Sequence, residues 1–373
     1  MDEAPPTKLS SLTIQGFRSI RDLKGFAVRP MNVLVGANGS GKSNFVEFFR
    51  MLRALCNEGL QRFVIGRGGA DGFLFNGPKV TPRIRGDVQF GENRYQFTLA
   101  PTASGELMIE SESVPYGLHR NDMGGGRLES LLKDRMKKRA SWNQPDKVYF
   151  YVWRAMIQWV VYHFHDTSLL AAARRECPVE HHRELGEDAG NIAAFLLHLR
   201  ENHAATYRRI RDVIQGVAPY IEDFLLEPRR RGDGDFVKLE WNQRGVPSFP
   251  FQPYHLSDGT LRFICLATAV LQPKPPPVLI LDEPELGLHP YALDLLVDLL
   301  RDASRRGVQV IVSTQSPAFL NRCDPEDIVT VDREGGASVF RRLEEEPLAA
   351  WLEDYTLGEL WQKNVIGADL NHE

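Results

Sequence analysis

The stretch VLVGANGSGKSNFVEFF, Val33 to Phe49, decides the fold. It holds three features in succession. Asn32 to Val35, at the end of FAVRPMNVLVG, have the pattern of a buried strand. GANGSGKS, Gly36 to Ser43, fits G-x-x-x-x-G-K-[ST]. SNFVEFFRMLRALC then puts Phe45, Phe48, Phe49, Leu52 and Leu55 on one side of a helix. A glycine loop between a buried strand and a helix can wrap backbone N–H groups around phosphates, with the helix start adding its positive dipole end. Gly36, Gly39 and Gly41 permit the close approach, and Ala37, Asn38, Ser40 and Asn44 are expected to bind beside them. Lys42 supplies a point charge for β- and γ-phosphates, and Ser43 a hydroxyl for Mg²⁺.

Three further motifs fit the same chemistry. VLILDEPE, Val278 to Glu285, is four apolar residues followed by acids. A buried strand there delivers Asp282 to its carboxyl end, where it can hold Mg²⁺ through water. Glu283 can then polarise an attacking water. VIVSTQSP, Val310 to Pro317, is another buried strand with a polar end, and its Gln315 is a candidate for contact with a γ-phosphate or the water. HLSDGTLR, His255 to Arg262, opens a helix that is apolar nearly all round. Ser257 can cap it, and Asp258 and Gly259 place backbone N–H groups where an anion can approach. In a two-fold dimer such a turn can face the partner's nucleotide.

Around these motifs, strand and helix alternate. The expected fold class is α/β, a P-loop NTPase with a mostly parallel central sheet, an antiparallel side sheet and an inserted helical lobe. GDVQFGENRYQFTLA and GELMIESESV supply the side sheet. The divisions drawn from composition are residues 1–126, 127–250 and 251–373: an N-terminal half with the phosphate loop, a lobe that is mostly helical and charged, and a C-terminal half with the remaining motifs. IEDFLLEP reads as helix, RRRGDGDF as a turn or loop, and PLAAWLEDYTLGELWQK as one terminal helix.

The chain has 373 residues and a net charge of -4, which argues against a generally basic nucleic-acid coat but allows a local patch. Cys56, Cys177, Cys265 and Cys323 are scattered and read as free thiols in a reducing compartment. MDEAPPTK has no apolar run of a secretory signal, and VYFYVWRAMIQWVVYHF is broken by Arg154, Gln158 and His163, so no membrane span is expected. The expected location is the cytoplasm.

The order GANGSGKSN, LSDGTLR, VLILDEPE and STQSP resembles the ABC-type ATPase heads of the SMC, RecF and OLD group. Within that group it is similar to stand-alone predicted AAA-family ATPases of bacteria, which carry LSDGTLR, DEPELGLHP and a C-terminal LGELW-type helix. The resemblance implies ATP and Mg²⁺ held between two heads of a homodimer, with Ser257 and Gly259 acting in trans and ELGLHP lying along the seam. It places a histidine where Gln315 stands; glutamine can donate to phosphate but takes up no proton at neutral pH. No residue is placed as the family's Q-loop glutamine: Gln158 is a candidate, beside the reading of it as a packed or solvated glutamine. The resemblance also implies anti-phage defence or DNA maintenance beside a separately encoded effector.

Other classes fit less well. The chain shows no NKxD-like loop or D-x-x-G switch of a GTPase, too little sequence after Val339 for a nuclease domain of the OLD type, and no sustained heptads for SMC-like arms. The alternative is a nucleic-acid-binding module in which ATP controls clamping. Its candidate contacts are Arg135, Lys137, Lys138 and Arg139, with Arg208, Arg209, Arg211, Arg229, Arg230 and Arg231.

Overall fold

A largely apolar strand needs protein on both faces, and all five residues of Met31–Val35 are buried, Asn32 among them. Asn32 is satisfied locally: its Oδ1 accepts the Arg29 amide at 3.0 Å and its Nδ2 donates to the Arg29 carbonyl at 2.7 Å. The computed structural model describes residues 8–137 and 147–367. The chain forms two compact units, Met1–Trp159 with Asp324–Glu373, and Val160–Cys323.

In the first unit Met31–Val35 runs parallel to Ile328–Glu334, which turns back antiparallel into Ala337–Arg342. Helix Lys42–Cys56 buries the apolar side that its periodicity marks. The Phe45 ring lies 5.4 Å from Phe340, Phe48 lies 5.4 Å from Phe17, and Phe49 lies 5.3 Å from Trp159. Each such buried ring contributes about 2 kcal/mol, so this helix is anchored well beyond its intrinsic propensity. The same unit contains the side sheet, six antiparallel strands in the order Ile20–Ala27, Ser11–Phe17, Ile84–Phe90, Asn93–Pro101, Leu107–Tyr116, His119–Gly124. The last of these escapes sequence patterning because Met123 alone among its side chains is buried.

In the second unit Val160–Tyr162, Val278–Asp282 and Gln309–Thr314 are parallel neighbours in that order. Helix Pro290–Arg305 connects the last two, as a parallel pair requires. Helices Ile192–Asn202 and Ala204–Val217 follow as expected, broken at His203. The lobe is less helical than its composition suggests. IEDFLLEP contains a strand, Ile221–Leu225, paired with Glu240–Gln243. Its buried Ile221 and Phe224 are three apart and mimic a helical period; pairing across the strand to Trp241 decides the matter. RRRGDGDF is a hairpin, Arg229–Arg231 against Gly234–Val237. Helices Leu132–Lys137 and Lys147–Ile157 fall in the first unit, although composition groups them with the lobe.

The expected terminal helix is two, Glu345–Leu352 and Leu357–Gln362. Thr356 and Glu359 form a capping box that starts the second. All four cysteines are buried and unbridged. No helix among the described residues is long and apolar enough to cross a membrane.

Candidate active site

The phosphate loop is braced from behind. Gly41, just ahead of helix Lys42–Cys56, has φ +114°, and a Cβ there would lie 2.0 Å from Ser338 Oγ and 2.7 Å from Ser19 Oγ. Both the backbone conformation and the space demand glycine. The Ser338 and Ser19 hydroxyls are 2.7 Å apart, and Asn44 Nδ2 donates to Ser19 Oγ at 2.6 Å. Asn44 therefore holds the loop's shape with its side chain. Lys42 is 4% exposed, and its Nζ donates to the Gly36 carbonyl at 2.6 Å and the Ala37 carbonyl at 2.9 Å. The Ser40 hydroxyl is buried without a hydrogen-bond partner, while Asn38, Gly39 and Ser43 are exposed. A buried lysine curled into its own loop and an orphaned hydroxyl are the donor set a polyphosphate would satisfy.

In the second unit the strand Val278–Asp282 ends on Asp282, 8% exposed, whose Oδ1 accepts from Ser313 Oγ. Asp282 and Ser313 are register partners, so the neighbouring strand supplies this bond directly. Glu283 then takes φ +42°, a left-handed conformation costing about 1–2 kcal/mol for a residue with a Cβ. Its amide is held by the Ser313 carbonyl at 2.9 Å and by Ser313 Oγ at 3.2 Å. Gln315 Nε2 donates to Glu283 Oε1. The structure thus brings Glu283 and Gln315 together, and Gln315 serves to aim the carboxylate.

Glu285 shapes the turn after it. Its Oε1 accepts from Thr314 Oγ1 at 2.6 Å and from the Gln315 amide at 2.9 Å, while Oε2 is buried without a partner. Burial pushes the Glu285 carboxyl above its ordinary range, against the lowering effect of the Thr314 and Gln315 bonds. A raised folded-state value means that stability present below the unfolded value is lost as pH rises through the folded one. Glu285→Gln removes that loss and keeps an acceptor for both bonds. Its melting temperature is expected to match the wild type at pH 4 and to exceed it at pH 8. A difference that does not grow with pH contradicts the assignment.

The turn LSDGT caps helix Asp258–Leu271, whose residues from Leu261 onward are all buried. Ser257 Oγ accepts the Thr260 amide at 3.1 Å. Asp258 turns its carboxylate to Arg174 Nη2 at 2.8 Å, so it can offer an anion its backbone amide and not its side chain. Arg174, 6% exposed, also donates to the carbonyls of Pro253 and Leu256. Gly259 packs against the turn of ELGLHP: a Cβ on it would lie 2.3 Å from the Gly287 carbonyl oxygen.

Residues 31–110 and 159–321, well over half of the chain, match the family described as "AAA domain, putative AbiEii toxin, Type IV TA system". The chain belongs to this family. Its matched segments resemble ATP-binding proteins of the AAA/ABC P-loop type. This AAA-domain chain is 33% identical over 70 residues to the energy-coupling factor transporter ATP-binding protein EcfA of Methanothermobacter thermautotrophicus. It is 39% identical over 62 residues to EcfA of Methanosphaera stadtmanae. These stretches are 19% and 17% of this chain, and the chain spans 22% of the length of each relative. In fold it is similar to an Smc head bound to the C-winged helix domain of ScpA, with TM-score 0.59 and 17% identity over 91% of this chain and 99% of that one. A second likeness is an Smc head with an extended coiled coil bound to the C-terminal domain of ScpA from Pyrococcus furiosus. It has TM-score 0.56 and 16% identity over 93% of this chain and 98% of that one. The AAA-domain chain therefore has the P-loop NTPase head fold expected of it.

Sequence patterning missed several residues that touch these motifs. His165, Arg174 and Glu285 are each joined to a site residue by a hydrogen bond or ion pair, and Arg262 donates to the His165 carbonyl. The one available signal for His165 was HFHD, in which polar residues alternate with Phe164 after the short apolar pair Val160 and Val161, and the long apolar context hid it. Gln158 is exposed and precedes the strand Val160–Tyr162, whereas Asp282 stands at the opposite, carboxyl end of the parallel neighbour. Of the basic candidates, Arg229 pairs with Glu240, Arg230 with Asp235, Arg231 with Glu176, Arg209 with Asp302 and Arg211 with Asp212. Arg208 donates to the Ala204 carbonyl. Lys138 and Arg139 lie outside the described residues.

Proposed function

We propose that this chain hydrolyses ATP between two copies of itself and uses closure and reopening to change the geometry of a partner. The observation that carries the proposal is the phosphate loop, with its buried Lys42 and orphaned Ser40 hydroxyl at the start of a helix. Gly36 to Ser43 hold the triphosphate through backbone amides, with Lys42 on the β- and γ-phosphates. Ser43 and, through water, Asp282 are the residues that would hold Mg²⁺, which would supply positive charge to the phosphates. Glu283 accepts a hydrogen bond from the attacking water and orients it, while Gln315 fixes the carboxylate without exchanging a proton.

The Ser257 turn is assigned to the nucleotide of the second copy. Its helix is rigid and buried, and its exposed start offers the amides of Asp258 and Gly259, since the Thr260 amide is taken by the cap. The role proposed for this switch, on the sequence resemblance, is bacterial anti-phage defence or DNA maintenance with a separate effector; the matching family description names a putative toxin of a type IV toxin–antitoxin system. The ion pairing of the arginine clusters favours this switch over nucleic-acid clamping, because paired guanidinium groups are less free to neutralise phosphates.

Sedimentation with and without MgATP tests the assembly, and phosphate release tests the chemistry. Dimer formed with MgATP and phosphate released slowly are expected. No MgATP binding at millimolar nucleotide overturns the proposal. Binding to duplex DNA or RNA that weakens steeply with salt would favour the clamp instead.

A further inference from the structure

The peptide unit joining Asp282 to Glu283 is held on both edges. On one edge the Glu283 amide donates to Ser313, through its carbonyl and its hydroxyl. On the other edge the Asp282 carbonyl accepts from His165 Nε2 at 2.7 Å. A carbonyl only accepts, so His165 carries its proton on Nε2. The plane of this peptide sets the direction in which Glu283 leaves the strand, and Glu283 leaves it at φ +42°. A left-handed residue of this kind persists only where its surroundings over-determine it.

His165 is itself positioned. Arg262, in the first turns of the LSDGT helix and 7% exposed, donates from Nε to the Phe164 carbonyl at 2.9 Å and from Nη2 to the His165 carbonyl at 3.0 Å. The His163 ring stacks on the His165 ring at 4.1 Å between centroids. Register explains why these residues meet. Val160–Tyr162 runs parallel to Leu279–Leu281, so the segment after Tyr162 emerges beside Asp282.

We propose that His165 and Arg262 are positioning residues that fix the Asp282–Glu283 peptide and tie it to the helix bearing Ser257 and Gly259. The proposal deepens the ATPase assignment and rests on it. Movement of the Ser257 turn on engaging a nucleotide passes through the Arg262 fork to the backbone of residues 164–165, and through the His165 imidazole to the carbonyl beside the catalytic carboxylate. The second copy's nucleotide is thereby coupled to the first copy's Glu283.

The test uses the full chain with His165→Leu, His165→Gln, Arg262→Lys and the pair His165→Leu/Arg262→Lys. Glutamine can still donate to the Asp282 carbonyl, and leucine cannot. Lysine keeps the charge of Arg262 and loses its fork. The wild type is measured first: if it neither binds nor turns over MgATP, the ATPase assignment fails and the coupling falls with it. Given a working wild type, His165→Leu and Arg262→Lys are each expected to lower kcat about tenfold, the effect of one lost orienting hydrogen bond. KM for MgATP should stay within about twofold, because the phosphate loop is untouched. His165→Gln should recover most of kcat, and the double variant should be no slower than the slower single one.

Hydrogen exchange at the Glu283 amide gives a readout independent of turnover. Exchange should quicken in His165→Leu and stay slow in His165→Gln. Equal loss in the Gln and Leu variants, or multiplying losses in the double variant, overturns the proposal. So does a Glu283 amide that exchanges alike in all of them, including any variant too unstable to assay for turnover.

Discussion

Glu283→Gln is expected to bind MgATP as the wild type does, to lower turnover at least about a hundredfold, and to accumulate as an ATP-bound dimer. The size follows from the loss of a positioned base, which contributes about 10²–10⁴-fold in proton-transfer steps. The structure makes the substitution clean. Glutamine keeps an Oε1 that can accept from Gln315 Nε2, and the amide at 283 stays bonded to Ser313. Geometry is therefore retained while the ability to polarise water is removed. Single-turnover phosphate release measures the chemical step, and sedimentation in saturating MgATP measures the trapped dimer. A variant that hydrolyses ATP at the wild-type rate removes Glu283 from the chemistry. One that stays monomeric with nucleotide bound removes the trans role of Ser257.

Gly259→Ala is expected to weaken ATP-dependent association by at least about thirtyfold while leaving nucleotide binding by the isolated copy unchanged. The added Cβ would sit 2.3 Å from the Gly287 carbonyl oxygen. That oxygen belongs to backbone, so no side chain can rotate away, and either the LSDGT turn or the ELGLHP turn must shift. A displacement of this kind costs about 2 kcal/mol or more, which at the interface becomes the thirtyfold loss. The phosphate loop lies in the other compact unit, so fluorescent-nucleotide titration of the monomer should not change. If the dimer forms at wild-type affinity, the turn is not at the seam. If monomer binding is lost instead, the Ser257 turn acts on its own copy's nucleotide.

Much of the fold was legible because its strongest signals are local. Met31–Val35 is apolar enough to demand burial, and the helix after it repeats its large side chains at helical spacing. The hairpins near Glu92 and Gly335 carry turn residues between alternating strands. Where the pattern failed, a longer-range partner decided. Ile221–Leu225 looked helical until Trp241 paired with Phe224. Val160–Tyr162 is three residues long, too short for any period, and is a strand because Leu279–Leu281 offers it a ladder. The domain limits inferred from composition near residues 126 and 250 reflect where charge and helicity change along the chain. The compact units follow packing, which composition does not encode.

By itself the sequence determined the chemistry on offer: a glycine loop with Lys42 and Ser43, a buried strand ending in Asp282 and Glu283, a capped turn at Ser257, and Gln315 at the polar end of another buried strand. These are properties of residue type and spacing within a few positions, set by backbone freedom, charge and the strand and helix periods. Tertiary structure alone decided which side chains hold that chemistry in place. Arg174 claims the Asp258 carboxylate, Gln315 the Glu283 carboxylate, and His165 the Asp282 carbonyl across 117 positions of chain. Such pairings depend on strand register and on which helix packs where. A one-residue slip between Val160–Tyr162 and Leu279–Leu281 would turn the side chains of Val160–Tyr162 to the opposite face and shift His165 along from the Asp282 carbonyl.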